Sequence, residues 1–130
     1  RPDMAMYIFT KKITSNEKIN VYNNGKMRRD FTFINDIING TCSAIEKNYA
    51  CEVFNLGNNK SEKLMDIVAT IEESLNKKAK INFLPMQPGD VESTAAKTDL
   101  LENWINFKPS TAIEIGVHKF AKWYLNYYKK

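Results

Sequence analysis

Two adjacent arginines, Arg28 and Arg29, follow the segment Asn23-Asn24-Gly25-Lys26. Guanidinium forks suit bidentate contacts with phosphate oxygens, a geometry lysine cannot reproduce. The same pair could equally form surface ion pairs with Asp30 or Asp36, which contribute little in solvent; the residues alone leave both readings open. Tyr22 lies just upstream, where its ring could face a planar base or pack in a core. Gln87 and Asp90, in Pro85-Met86-Gln87-Pro88-Gly89-Asp90, could hydrogen-bond a sugar or ribose, or simply close a turn. His118, the single histidine, falls in a helical stretch where a surface or helix-packing role fits better than catalysis. No serine has the neighbours of a nucleophile, and no GxGxxG or GxxxxGK loop is present. Cys42 and Cys51 lack CxxC spacing, so with one histidine a zinc site is not expected; they read as buried, reduced thiols. Thus no catalytic residue and no metal site are assigned, and the chemistry on offer is binding.

These residues need positioning. Met6, Phe9 and Ile13 recur at helical spacing and predict a helix from Met4 to Ile13, with Asp3 as its cap. Alternation over Lys18 to Tyr22 predicts a strand, and the Asn-Asn-Gly segment a turn, because Asn and Gly tolerate positive φ. Asp30 to Ile34 is aromatic and β-branched, which predicts a second strand. Asn35 then caps a helix carrying Ile37, Ile38, Thr41, Ala44 and Ile45 and ending near Asn48, with Asp36 favourably placed against its dipole. Cys51 to Leu56 reads as a short strand, Ser61 as the start of a helix with Leu64, Ile67, Val68, Ile71 and Leu75 on one face, and Lys80 to Leu84 as a further strand. Two prolines and a glycine make 85–90 a loop. A short helix from Thr98 to Trp104 and a longer one from Thr111 to Tyr128 complete the chain. The alternation gives an α/β fold with a small mixed sheet and helices.

With 130 residues, 43% hydrophobic and 26% charged, the chain has material for one core. No apolar run approaches the ~20 residues of a membrane span, and no signal peptide is seen, so no membrane partner and a cytoplasmic location are expected. The net charge of +4 comes from lysines spread among carboxylates, a weak pointer to any anionic partner. Arg1-Pro2-Asp3 reads as a chain joined in mid-sequence.

Five blocks in order carry a resemblance: Arg1-Pro2-Asp3-Met4-Ala5, Val21 through Thr32 (with Arg28-Arg29-Asp30-Phe31), Phe54-Asn55-Leu56-Gly57-Asn58-Asn59, Leu84 through Val91, and Phe107-Lys108-Pro109-Ser110-Thr111. Together they span nearly the whole chain and resemble the NAD-dependent epimerase/dehydratase family of extended short-chain dehydrogenases, most narrowly UDP-glucuronate 4-epimerases. The resemblance implies that residues 1–130 are the carboxy-terminal, nucleotide-sugar-binding region, with the amino-terminal Rossmann half, its NAD and its Tyr-x-x-x-Lys pair missing. It implies oxidation at the sugar C4, rotation of the keto-sugar and re-reduction in the full enzyme, a homodimer serving polysaccharide biosynthesis. The implied partner is a UDP-sugar, UDP-glucuronate or UDP-galacturonate, rather than nucleic acid.

Residue by residue, the resemblance gives Asn20 and Tyr22 to the uracil pocket and Arg29 to the pyrophosphate, with Arg28 as its alternate. Gln87 falls where related galactose epimerases carry arginine and would contact phosphate or ribose, Asp90 would bind ribose or fix the loop, and Arg1 would recognise the sugar carboxylate. One departure stands out: the family's usual Tyr-Ala-Asp reads Ala95-Ala96-Lys97 here, so either the position tolerates the reversed charge or the sugar preference has shifted. Two other readings compete. A stand-alone nucleotide or nucleic-acid module would bind oligonucleotides in a salt-sensitive way. A structural fragment would leave the helices after Asn35 and Ser61 with bare apolar faces.

Overall fold

The computed structural model describes residues 2–47 and 51–129. Helix α1 (Ala5–Thr14) forms on the expected spacing and buries Phe9, Thr10 and Ile13. Its N-cap position is Met4 rather than Asp3, and no side chain caps it. Strand β1 (Lys18–Val21) buries alternate residues, Ile19 and Val21. It pairs in parallel with β4 (Lys80–Phe83), Ile19 opposite Ile81 and Asn20 opposite Asn82. Parallel neighbours require a crossover. Helix α3 (Leu64–Leu75) falls between them in the chain and packs against α1 and α4 (Ile113–Tyr128). The core therefore sits where α1, β1, α3 and α4 meet, with Ile13, Ile19, Val21, Ile67, Val68, Ile71 and Val117 almost wholly buried. Each such side chain contributes about 1.5–3 kcal/mol by burial. On α4, which the sequence places at Thr111 to Tyr128, Val117, Ala121 and Tyr124 are buried, whereas Ile115 is exposed.

Among the described residues the strands form two separate two-stranded sheets, one parallel and one antiparallel. The second joins β2 (Arg28–Asp30) to β3 (Ser61–Lys63), Arg29 opposite Glu62. The strand expected at Asp30 to Ile34 is thus shifted toward Arg28, because the ladder ends where its partner ends, at Ser61. Ser61 does not start a helix either: that pairing holds 61–63 extended, and α3 begins at Leu64, whose N–H donates to the Met27 carbonyl at 2.9 Å. The Asn-Asn-Gly turn is a short 3-10 segment (Asn23–Gly25) with φ near 49° at both asparagines and 81° at Gly25. The short helix near the end is a π-helical turn, Leu101–Ile105.

Helix α2 (Ile34–Glu46) starts one residue before the expected cap; Phe33 occupies the N-cap, and the expected end near Asn48 lies outside the described residues. Asp36 falls in its first turn, as the dipole argument requires, and is itself buried, accepting Thr111 N–H at 2.9 Å and Thr111 Oγ1 at 3.0 Å. Gly40 lets α2 approach its neighbours: a Cβ there would lie 2.3 Å from Leu56 Cδ2 and 2.8 Å from Phe107 Cε1. The strand expected at Cys51 to Leu56 is absent among the described residues; no backbone ladder forms on it, and Val53 is 79% exposed. Both cysteines are free and exposed rather than buried. Cys42 follows Gly40 by two residues and so turns away from the buried face, while Cys51 lies on that uncovered segment.

Candidate functional site

The loop after β4 is built to present two side chains. Pro88 and Gly89 sit at the centre of a turn closed by Asp90 N–H on the Gln87 carbonyl at 3.2 Å, and Gly89 has φ 81°, the conformation a type II turn demands at that position. Gln87 and Asp90 thereby flank one tight bend. Across from it, Arg29 leaves β2. Its Nη2 meets Asp90 Oδ1 at 2.7 Å, and its Nη1 donates to the carbonyls of Arg28 at 2.8 Å and Glu92 at 3.2 Å. Asp90 Oδ1 also accepts Val91 N–H at 2.8 Å, which orients the carboxylate. The surface-pair reading for Arg29 is corrected in its partner, Asp90 instead of Asp30 or Asp36, since those two carboxylates are taken by backbone donors. Arg28 turns the other way, donating to the Ser61 carbonyl.

Asn20 projects from β1 and accepts from Asn82 Nδ2 at 3.1 Å, which leaves its own Nδ2 as the donor. Tyr22, just past β1, is half-buried. Asn20, Tyr22, Arg29, Gln87 and Asp90 all line one cleft of about 540 Å³ floored by α1, Met27 and Leu64. Five predicted residues from three separate stretches of sequence are thus brought together. Arg1 lies outside the described residues. Lys12 lines the same cleft and went unrecognised, although Ala5, Ile8, Phe9 and Lys12 share one face of α1 at helical spacing and that stripe was readable. His118 is exposed on α4, its Nδ1 2.7 Å from Ser74 Oγ of α3, a helix-packing contact. The cleft offers a guanidinium whose N–H donors another anion could share, an amide donor and an aromatic face, all suited to a planar base joined to phosphate.

Known proteins similar to this chain share one family. A sequence model of the NAD-dependent epimerase/dehydratase family matches residues 1–57. UDP-glucuronate 4-epimerase 4 of Arabidopsis thaliana is 38% identical over 98% of this chain and 33% of its own length. The chain is thus similar to the NAD-dependent epimerase/dehydratase family over residues 1–57 and to UDP-glucuronate 4-epimerases along almost its whole length. An uncharacterized Methanocaldococcus jannaschii protein is 49% identical over 96% of the chain and 38% of its own length. Among solved structures, a variant of the UDP-glucuronic acid 4-epimerase of Bacillus cereus, bound to NAD and UDP-4-deoxy-4-fluoro-glucuronic acid, superposes with a TM-score of 0.90. It is 30% identical over 98% of this chain and 41% of that one. The chain therefore spans about two fifths of the length of such family members.

The family's dinucleotide does not fit the residues present here. The five glycines are scattered among the elements, and no described strand runs through a glycine-rich turn into a helix N-terminus. At the family departure, Lys97 is 83% exposed and pairs loosely with Asp99 at 3.6 Å, so its charge is carried in solvent. Among the described residues no helix is long and apolar enough to cross a membrane.

Proposed function

We propose that this chain is the carboxy-terminal, UDP-sugar-binding part of an NAD-dependent nucleotide-sugar epimerase acting on UDP-glucuronate and UDP-galacturonate. The observation that carries the reading is the single cleft into which Asn20, Tyr22, Arg29, Gln87 and Asp90 converge. Tyr22 stacks on the uracil ring and the Asn20 amide donates to a uracil carbonyl. Arg29 donates to the pyrophosphate while Asp90 keeps the guanidinium in place and fixes the loop or reaches the ribose, and Gln87 completes the ribose or phosphate contacts. Arg1 reads the sugar carboxylate. NAD and the proton-transferring tyrosine belong to the amino-terminal half of the longer, homodimeric enzyme, which acts in the cytoplasm. Support comes from the Bacillus cereus relative, which holds NAD and a UDP-uronic acid analogue on the same fold.

Calorimetric titration of the chain with UDP and UDP-glucuronate tests this, with Arg29→Ala and an oligonucleotide as controls. Saturable UDP binding that Arg29→Ala weakens at least roughly tenfold, about 1.4 kcal/mol, is expected. A folded chain that takes up no UDP, or that prefers the oligonucleotide, overturns the reading.

A further inference from the structure

Asp30 ends β2 beside Arg29, and its carboxylate is consumed by backbone donors. Oδ1 accepts Asn58 N–H at 3.1 Å; Oδ2 accepts Asn59 N–H at 3.1 Å and Ala96 N–H at 2.8 Å. Its own N–H donates to Thr94 Oγ1 at 3.3 Å. A carboxylate that accepts three backbone N–H groups from two loops joins those loops firmly. One of them is the segment that holds Arg29. Arg28 N–H donates to the Glu92 carbonyl at 2.8 Å, Thr94 N–H donates to the Arg28 carbonyl at 3.3 Å, and Ser93 Oγ lies 2.9 Å from Ser61 Oγ. Residues 92–94 therefore run parallel beside β2 at Arg28, with Ser93 also touching Ser61 of β3. The Glu92 carbonyl and the Asp90 carboxylate at the head of this segment supply two of the three acceptors on the Arg29 guanidinium, the third being the Arg28 carbonyl, and its tail is fixed by Asp30. Neighbouring residues on a strand project to opposite faces. Arg29 accordingly enters the cleft, while Asp30 is not among the residues that line it.

The geometry points to Asp30 as the positioning residue for Arg29, acting through the 92–96 segment to hold the guanidinium where a nucleotide's diphosphate must bind. This rests on the nucleotide-binding reading above. Asn20 and Tyr22 stand on and beside β1, which is anchored separately by β4, so the base-binding end is independent of Asp30. Loss of Asp30 must therefore act on the phosphate end alone.

The test is Asp30→Asn, which keeps the shape but sets an NH2 group against backbone N–H donors. UDP and uridine affinities are measured side by side, with thermal unfolding as the folding control. UDP binding is expected to weaken roughly tenfold while uridine binding changes less than about twofold, since only charge-assisted contacts are disturbed. Thr94→Val, which removes the acceptor of the Asp30 N–H but leaves the carboxylate, should shift the UDP-to-uridine ratio in the same direction, and serves if Asp30→Asn does not fold. A ligand-free readout accompanies both: the guanidinium NMR signals of Arg29, held in the wild type, should average by faster rotation in the variants. Equal loss of UDP and uridine affinity, or unchanged Arg29 signals, overturns the positioning role. A wild type that binds neither ligand overturns the nucleotide reading instead, and the Arg29 signals then decide the positioning role by themselves.

Discussion

Arg29 could be singled out from the sequence because its chemistry is intrinsic to the residue: a guanidinium binds phosphate wherever the fold puts it. Asp30, one position on, could not, because its role lies in which backbone N–H groups reach it, and those come from residues 58, 59 and 96. Gly57 belongs to the same junction. A Cβ at that position would fall 2.3 Å from Ala96 Cβ and 3.2 Å from Asp30 Oδ2. Gly57→Ala is therefore expected to force Ala96 off the carboxylate and to destabilise the chain by about 1–3 kcal/mol, as overpacking does. Urea unfolding measures it, and a midpoint matching the wild type would show that the two loops can part without cost. Arg29→Lys should recover little of the UDP affinity lost in Arg29→Ala, because an ammonium cannot bridge two phosphate oxygens in the plane of a fork; full recovery in the titration would argue against a bidentate contact.

Among the elements, the helices were largely legible, since α1 and α3 bury most of the stripe that their spacing defines and α4 buries Val117, Ala121 and Tyr124 of its own. Strands were legible only in part. Lys18 to Val21 has β4 beside it; Cys51 to Leu56, equally strand-like in composition, has no ladder and stays irregular. The joint between α3 and β4 depends on Glu72, which accepts from Lys78 Nζ at 2.8 Å and Ala79 N–H at 2.7 Å. Burial alone would raise this carboxyl, but the Lys78 and Ala79 hydrogen bonds and the Lys78 charge together outweigh it and hold the pKa below the usual carboxylate range. A lowered folded value means that its stabilisation is present above the unfolded carboxylate pKa, about 4.3, and is lost as pH falls through the lower folded value. Glu72→Gln should thus cost about 1–2 kcal/mol at pH 7 and progressively less toward pH 3. Urea unfolding across that range checks it; a difference that stayed constant would remove the ionised carboxylate from the account.

Over the whole molecule, the apolar surface is unevenly covered. The stripe of α3 is buried, whereas α2 shows Ile34, Ile38 and Ile45 to solvent, the last 73% exposed, and α4 shows Trp123 and Tyr127. The expectation of bare helix faces is thus met at α2 and not at α3. Between the 31–34 segment and α4 lies an apolar hollow of about 520 Å³ lined by Phe31, Phe33, Phe120 and Trp123. Exposed apolar area of this kind drives association. The chain should bind a hydrophobic dye and self-associate with rising concentration, and Ile38→Lys combined with Ile45→Lys should reduce both while changing stability by no more than about 0.5 kcal/mol. Sedimentation velocity of the two proteins distinguishes these outcomes; identical, concentration-independent profiles would count against it.

By itself the sequence determined the helices, the Asn-Asn-Gly and Pro-Gly turns and the chemical kind of the cleft residues, because spacing, φ preference and side-chain chemistry are local properties. The tertiary structure alone decided which strands exist, that Arg29 pairs with Asp90 and not with Asp30 or Asp36, and that α2 stays bare while α3 is covered. Each of these depends on contacts between residues tens of positions apart, and no local pattern encodes whether such a partner is within reach.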